Sequence, residues 1–188
     1  MNSYIRSEKE FIASLLQKEQ VAWREWYHSV SPGLMSLCIR YVRDRDLAND
    51  VLQNSFIKMF HSISSFEFRG EGSLKAWASR IVINEALREL KSRSDWHRLQ
   101  FEEQLVEPAI EEPEVESLSQ EEILEFILQL PDGYRTVFNL FVFENLSHKQ
   151  IADHLNITQS TSASQLHRAK SLLAEKIKLR QRLDKKNL

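Results

Sequence analysis

The sequence predicts an all-α chain, long enough for one domain or two small helical domains, with an acidic linker between its basic segments. Only four glycines and four prolines occur in 188 residues, and apolar residues recur at helical rather than strand spacing. Residues 1–98 carry 15 Lys/Arg and 12 Asp/Glu, residues 99–134 carry 11 Asp/Glu and no Lys/Arg, and residues 135–188 carry 10 Lys/Arg and 4 Asp/Glu. Two basic segments therefore flank an acidic one, and such blocks influence attraction to polyanions more than the net charge of -2 does.

Composition also excludes several classes of protein. The single cysteine, Cys38, rules out an internal disulfide framework and a cysteine-cluster zinc site. There is no apolar run of roughly 18 residues and no apolar signal core near the N-terminus. No glycine-rich phosphate loop, catalytic motif or metal-binding histidine spacing occurs. We therefore expect a cytoplasmic protein that is not an enzyme, with no cofactor, no metal, no small-molecule substrate and no membrane insertion.

Apolar spacing in the first half predicts helices over residues 8–28, 34–42 and 47–63. The Ser-Pro-Gly sequence at residues 31–33 predicts a turn between the first two helices. Asp46 is expected to cap the third helix, because its carboxylate can accept from a backbone N–H of the first turn.

Residues 66–72, FEFRGEG, are predicted to form a loop before a helix over residues 74–92, with Ser73 as the cap. One stripe of that helix begins with an aromatic residue and continues with basic and amide side chains, at Trp77, Arg80, Asn84 and Arg88. Such a stripe suits phosphate contact and base stacking. A solvated surface beside a core tryptophan is the alternative.

Residues 99–120 are predicted to be a linker, because Pro108 and Pro113 interrupt any helix and the glutamates repel one another. The linker is either a solvating spacer or an acidic strand that mimics nucleic acid. Ser119 is expected to open a helix that ends at Leu130. The apolar helix that follows, over residues 135–144, is expected to form the core against which the remaining helices pack. The basic tail from Lys176 is a candidate for fraying.

The pattern of apolar and capping residues over 146–176 predicts a helix-turn-helix. Ser147 and Thr158 are suitable caps for its two helices, and Asn156 tolerates the left-handed conformation that ends the first. Small residues at Ala152 and Ala163 would let the two helices cross closely. Polar side chains of the second helix are expected to face outward, namely Ser162, Gln165, His167 and Arg168. An ordinary helical hairpin with a polar face is the alternative.

Four motifs in order resemble those of ECF-type (extracytoplasmic function, group 4) sigma factors, which are small bacterial sigma subunits of RNA polymerase. The resemblance covers roughly residues 20–95 and 122–178. Residues 44–56 are similar to the family's core-binding helix, and FRGEGSLKAW at residues 68–77, continued by Arg80 and Asn84, to the loop and helix that open the minus-ten element. Leu130-Pro131 and residues 146–170 are similar to the minus-thirty-five reader.

The resemblance implies a sigma region 2-like domain over residues 8–95, an acidic linker over residues 99–120, and a sigma region 4-like helix-turn-helix domain over residues 121–178. The implied function is to bind core RNA polymerase and to direct promoter recognition, strand opening and transcription initiation at a specific regulon. The implied partners are core RNA polymerase, through its β′ clamp coiled coil and β flap, promoter DNA, and an anti-sigma factor.

The resemblance also assigns site residues. Core polymerase contacts are expected at Asp46, Asp50, Val51, Gln53, Asn54 and Phe56. Minus-ten DNA contacts are expected at Arg69, Gly70, Ser73, Lys75, Trp77, Arg80, Asn84 and Arg88. Minus-thirty-five DNA contacts are expected at Thr158, Ser160, Ser162, Ala163, Ser164, Gln165, His167, Arg168 and Lys170.

The chain departs from the family pattern in both domains. Asn49 and Asn54 flank the core-binding motif in place of the usual acidic pattern, which would retune docking. Ala163 and Gln165 stand where a basic residue and an arginine are usual. This loss of charge would weaken phosphate contact and shift base preference, with glutamine favouring adenine.

Two other functions remain open from the residues alone. The segment 147–170 by itself is compatible with a free-standing helix-turn-helix transcriptional regulator. The acidic linker and the apolar helix over residues 135–144 are compatible with a helical protein-binding adaptor that never touches DNA.

Overall fold

The computed structural model describes residues 7–92 and 118–186, which contain eight α-helices, one 3-10 helix and no strand. The all-α prediction is therefore confirmed. The chain divides into two compact units, Met1–Glu89 and Leu90–Leu188. Most of the predicted linker lies outside the described residues. None of the described helices has the length and apolarity needed to cross a bilayer.

The first unit begins with two helices where the sequence predicted one. Helix α1, Glu8–Leu16, ends before Lys18, whose φ is 57°, and α2 runs over Gln20–Val42. The Trp23 Nε1–H donates at 3.1 Å to the Leu15 carbonyl at the end of α1, which also accepts from the Lys18 N–H at 3.0 Å. The prediction of a single helix over residues 8–28 is therefore wrong. The break between α1 and α2 is stabilised by a side chain from the second helix.

The predicted turn at residues 31–33 is also wrong, because Pro32 lies inside α2. Serine hydroxyls help to satisfy nearby carbonyls: Ser31 Oγ donates to the Tyr27 carbonyl, and Ser36 Oγ donates to the Pro32 carbonyl at 3.0 Å. Buried side chains lie on both sides of the proline, including Trp26 and Leu34. Burial of this kind offsets the roughly 3 kcal/mol that an interior proline costs a helix.

Helix α3 covers Arg45–Ser62 and continues into the 3-10 helix Ile63–Ser65. Its cap is Asp44, which accepts from the Leu47 N–H at 2.8 Å, and not the predicted Asp46. Helix α4, Ser73–Ser92, completes the first unit. Aromatic rings join α2, α3 and α4: Trp26 lies 5.8 Å from Phe56 and 6.4 Å from Trp77 between ring centroids.

The second unit contains α5, Gln120–Leu128, and α6, Asp132–Val142. Ser119 forms the predicted capping box with Glu122. Helix α6 begins three residues before the predicted start at 135, because Arg135, fully buried, donates to the Leu130 carbonyl at 2.8 Å and to Asp132 Oδ1 at 2.7 Å. These bonds fold the first turn of α6 onto the end of the preceding segment.

Helices α7, His148–Leu155, and α8, Gln159–Lys186, form the predicted helix-turn-helix and pack against α6. Ser147 caps α7, Asn156 ends it at a φ of 57°, and Thr158 Oγ1 accepts from the Thr161 N–H at 3.0 Å. All three local predictions are confirmed. Helix α8 continues past Lys176, whose Nζ donates to Gln129 Oε1 of α5 at 3.0 Å, so the tail is helical to Lys186.

Candidate functional site

A cavity of about 430 Å³ lies between the loop that precedes α4 and the first turns of that helix. Its lining residues are Ser65, Phe66, Glu67, Arg69, Ser73, Ala76, Trp77 and Arg80. The Phe66 and Trp77 rings form aromatic walls with centroids 5.3 Å apart, and both arginines are exposed at its edge. Aromatic walls with positive charge beside them suit a planar base attached to a phosphate backbone.

The cavity brings together four of the predicted minus-ten residues, Arg69, Ser73, Trp77 and Arg80. Gly70 and Lys75 are not among its lining residues. Gly70 instead has a φ of 115°, a conformation that favours glycine, and so contributes to the turn of the loop. The sequence prediction missed Phe66, whose position in the FEFRGEG segment was noted but whose proximity to Trp77 depends on the fold.

The loop is held by hydrogen bonds from both sides. Ser73 Oγ, predicted to cap α4, accepts from the Arg69 N–H at 3.3 Å. The N-terminus of α4 is capped instead by Glu8 of α1, whose carboxylate accepts from the Gly72 and Leu74 N–H groups at 2.6 and 3.0 Å. The predicted capping role of Ser73 is therefore wrong, and sequence reasoning missed Glu8 because the contact spans more than sixty residues.

The stripe on α4 is exposed at Arg80, Asn84 and Arg88, as predicted. Trp77, at its start, is half-buried and stacks on Trp26, so it belongs to the core and to the cavity together. Glu85 lies beneath the stripe with only 2% of its surface exposed, and its carboxylate forms ion pairs with Arg88 and with Lys58 of α3.

The predicted core-binding face of α3 is largely at the surface. Asp46, Asp50, Gln53 and Asn54 are exposed, and Phe56 is half-buried. Val51 has only 2% of its surface exposed and packs in the core, so the expectation that it contacts a partner directly is wrong.

An apolar depression lies alongside this face and was not predicted. It is lined by residues of α2 and α3, namely Gln20, Trp23, Arg24, Tyr27, Phe56, Ile57, Phe60 and His61. Ile57 is 57% and Phe60 37% exposed. Exposed apolar patches of this kind are typical of protein interfaces.

The outward face of α8 differs from the predicted one. Ser162 and Gln165 are 0% and 3% exposed, so the expectation that they project toward DNA is wrong. Ser162 Oγ and His148 Nδ1 lie 3.0 Å apart, at hydrogen-bonding distance across the two helices. Ala163, expected at the helix crossing, is exposed instead. The observed outward face of α8 is rotated from the predicted one by about one residue, which corresponds to about 100° around the helix axis.

The remaining predicted residues of the helix-turn-helix lie at or near its outer face. Thr158, Ser160, Ala163 and Lys170 are exposed, and Ser164 and His167 are partly exposed. Gln159 is also exposed there and was not predicted. Arg168 is partly exposed, and its Nη1–H donates to the Tyr134 hydroxyl of α6 at 3.2 Å.

Comparison with known proteins identifies the family to which the chain belongs. The family models described as Sigma-70 region 2 and Sigma-70 region 4 match residues 26–95 and 120–173. The ECF RNA polymerase sigma-E factor of Haemophilus influenzae is 33% identical over 165 residues, which cover 80% of this chain and 83% of that protein. The chain belongs to the ECF family of RNA polymerase sigma factors. As a sigma factor, it functions in transcription initiation.

Other relatives of this sigma factor match over similar lengths. The RNA polymerase sigma-H factor of Pseudomonas aeruginosa is 31% identical, over 74% of this chain and 78% of that protein. The ECF RNA polymerase sigma factor SigW of Bacillus subtilis is 27% identical, over 90% of this chain and 96% of that protein. Among solved structures, the sigma factor RpoE in complex with the anti-sigma factor NepR from Bartonella quintana is 23% identical with a TM-score of 0.49, over 81% of this chain and 94% of that one.

Proposed function

We propose that this sigma factor docks on core RNA polymerase through α3, opens the minus-ten element with its first unit and reads the minus-thirty-five element with its second. The observation that carries the proposal is the aromatic-walled cavity, which continues into the exposed stripe Arg80, Asn84 and Arg88 on the same helix. The polar face of α3 belongs to the same unit, so polymerase docking and strand capture would be combined in one compact body.

At the minus-ten element, one unstacked base would enter the cavity and lie against the adjoining rings of Phe66 and Trp77. Removing a base from the duplex stack costs a few kcal/mol, whereas stacking on aromatic side chains contributes about 1–3 kcal/mol per base. Arg80, Asn84 and Arg88 would contact the backbone of the separated strand, which adds attraction that depends on salt.

At the minus-thirty-five element, the first turns of α8 would enter the major groove. The outer face supports a revised set of contacts: Thr158, Gln159, Ser160, Ala163, Ser164, His167 and Lys170. Lys170 is suited to a phosphate, and the smaller polar residues to base edges. Ser162 and Gln165 would act from inside, by fixing how α8 is presented. Arg168 is partly exposed and would contact a phosphate from beside Tyr134.

The proposal includes five broader features. The domain bounds are 8–95 and 121–178, with the acidic linker at 99–120 between them. The protein works without catalytic residues or a cofactor, because initiation here needs binding and strand separation rather than covalent chemistry. It acts in the cytoplasm, where RNA polymerase is found, and it is held inactive by an anti-sigma partner. The β flap of the polymerase would contact the second unit.

Transcription reconstituted on pooled genomic DNA with purified core polymerase tests the proposal. Transcripts that require this protein would establish the role and supply its promoter sequence. The double variant Asp50→Ala, Gln53→Ala should weaken core binding at least tenfold, since a hydrogen bond to a charged group contributes about 1.5–3 kcal/mol. The matched control is Glu25→Ala, which removes an exposed carboxylate from α2. Unchanged core binding by the double variant would reject the α3 docking surface.

A second variant separates strand opening from docking. Arg80→Ala combined with Asn84→Ala should leave core binding intact and reduce open-complex formation at the promoters found above by about tenfold, on the scale of one lost stacking or phosphate contact. Fluorescence of 2-aminopurine placed in the minus-ten non-template strand measures the opening. Normal opening by this variant would reject the stripe as the strand-binding surface.

A further inference from the structure

Glu8 makes a long-range contact with the loop that borders the cavity. Its Oε2 accepts from the Gly72 N–H at 2.6 Å and its Oε1 from the Leu74 N–H at 3.0 Å. These N–H groups lie at the beginning of α4, where helical N–H groups have no partner within the helix. Both oxygens of one carboxylate are therefore used, and a negative charge is placed where the helix dipole favours it. Glu8 precedes the segment matched by the region 2 model, residues 26–95.

The loop has a backbone hydrogen bond of its own, from the Ser73 N–H to the Gly70 carbonyl at 3.1 Å, and Glu8 adds two bonds from outside it. Gly70 and Gly72 have φ angles of 115° and 83°, and nothing lies within 4 Å of the position where a Cβ would stand at either glycine. Glycines in open space lose more conformational entropy on ordering than other residues do. Ser73 Oγ already accepts from the Arg69 N–H. The carboxylate of Glu8 adds two bonds at Gly72 and Leu74, where these local bonds leave the backbone N–H groups without a partner from the loop.

Helix α1 is a firm support for that carboxylate. Its first turn is closed by a capping box, with Ser7 N–H donating to Glu10 Oε2 at 3.0 Å. Its inner face buries Ile12 and Leu15, with 4% and 0% of their surfaces exposed. It also packs against the 3-10 helix Ile63–Ser65, whose last residue lines the cavity. Helix α1 thus contacts the two segments between which the cavity forms.

We propose that Glu8 is a positioning residue for the minus-ten cavity: its carboxylate fixes Gly72 and Leu74, and thereby sets the place of Arg69 and Ser73 in the cavity wall. The inference rests on the proposed function, since it concerns the site that captures the unstacked base. It also assigns a role to α1, because the helix orders a DNA-binding loop without contacting DNA itself.

The experiment uses holoenzyme and a single-stranded oligonucleotide that carries the minus-ten sequence mapped with the wild-type protein. Glu8→Ala should bind this strand about tenfold more weakly, the factor expected for hydrogen bonds to a charged group. Glu8→Gln should lie between, because its amide oxygen can accept only one of the two bonds. Amide exchange at Gly72 and Leu74 should accelerate in the same order, while affinity for core polymerase stays unchanged.

Glu25→Ala is the charge-matched control, and it should bind the strand as the wild type does or slightly more tightly. Unchanged or tighter binding by Glu8→Ala would overturn the inference. If the Arg80→Ala, Asn84→Ala variant binds the strand weakly in the same assay, the proposed function survives that outcome. Normal strand binding by this variant would reject the proposed function itself. Equal losses of strand and core binding in both Glu8 variants would indicate general misfolding and would also overturn the positioning role.

Discussion

Ser162 shows how a polar residue on a DNA-reading helix can serve the protein instead of the DNA. Its hydroxyl lies 3.0 Å from His148 Nδ1, and the His148 ring stacks on Phe141 at a centroid distance of 4.8 Å. These contacts link α6, α7 and α8 at one point. The angle at which α8 presents Ala163 and Lys170 therefore depends on buried residues that face away from them.

Substitutions at Ala163 and Gln165 of α8 should have different effects, on DNA binding at the outer face and on stability at the inner face. Ala163→Arg should strengthen binding of holoenzyme to promoter duplex, and should steepen the slope of log affinity against log salt by about 0.9, because one more phosphate is neutralised. Gln165→Arg should instead destabilise the fold by about 1–3 kcal/mol, since it places a charge where only 3% of the side chain is exposed. Binding over a salt series and urea unfolding measure the two effects. Stronger DNA binding by Gln165→Arg without loss of stability would contradict the assignment.

Cys38 should be unreactive in the folded protein. Its side chain is fully buried, and desolvation raises the pKa of the thiol from 9.0 to about 12. Alkylation of the native chain at pH 8 should therefore be slow and should become fast in urea. The unfolded thiol loses its proton first, so this group favours unfolding increasingly as the pH rises from 9 toward 12. Rapid labelling of the native protein would contradict the burial.

At the scale of elements, the buried carboxylate of Glu85 connects α4 to α3 through ion pairs. Glu85 of α4 is buried, whereas the side chains of its partners Lys58 and Arg88 are 46% and 65% exposed. A buried carboxylate is tolerated only when its charge is paired. The ion pairs therefore hold α3 and α4 in one orientation. They also hold Arg88 at its place in the stripe.

Removing one partner of Glu85 should weaken the first unit. Lys58→Met should lower the free energy of unfolding by about 1–2 kcal/mol, at the low end for a charged hydrogen bond because Lys58 is half-exposed. Urea unfolding followed by tryptophan fluorescence measures this, since three of the four tryptophans, Trp23, Trp26 and Trp77, lie in the first unit. Lys75→Met, at an exposed position of α4, is the matched control and should change stability little. An equal effect of both substitutions would argue against this role of the ion pairs.

At the scale of the whole molecule, charge separates the chain into parts. Residues 99–134 carry 11 acidic side chains and no basic ones, between two segments that carry the proposed DNA-binding surfaces. An acidic segment tethered between basic surfaces is always at high local concentration, and so can compete with DNA for them. This competition would lower DNA binding by the free sigma factor before it meets the polymerase.

Neutralising the linker should therefore raise the DNA affinity of the isolated chain. Glu111, Glu112, Glu114 and Glu116 changed together to glutamine should give severalfold tighter binding at low salt. The gain should shrink toward physiological ionic strength, where the Debye length falls to about 8 Å. A gel-shift series over salt concentration measures this. Identical affinities at every salt concentration would remove autoinhibition by the linker.

Several local features followed from the sequence because their partners are close along the chain. The caps at Ser119, Ser147 and Thr158 bond to N–H groups three residues away, and Asn156 adopts its left-handed conformation on its own. The family motifs are equally local, and they predicted the all-α fold, the two-part organisation and the sigma function. They also predicted the exposed stripe on α4, because its residues share one helical face.

Tertiary structure decided the features that depend on distant partners. Pro32 lies within a helix because the core is buried on both sides of it, and Glu8 caps a helix that begins more than sixty residues later. The inward orientation of Ser162 and Gln165 follows from how α8 packs. Apolar spacing in the sequence predicted the buried face of this helix only to within about one residue. The sequence by itself thus determined most of the helices, together with the family and the function of the chain. Packing determined which faces of those helices are free to meet a partner, because burial energy is set by contacts that no local pattern contains.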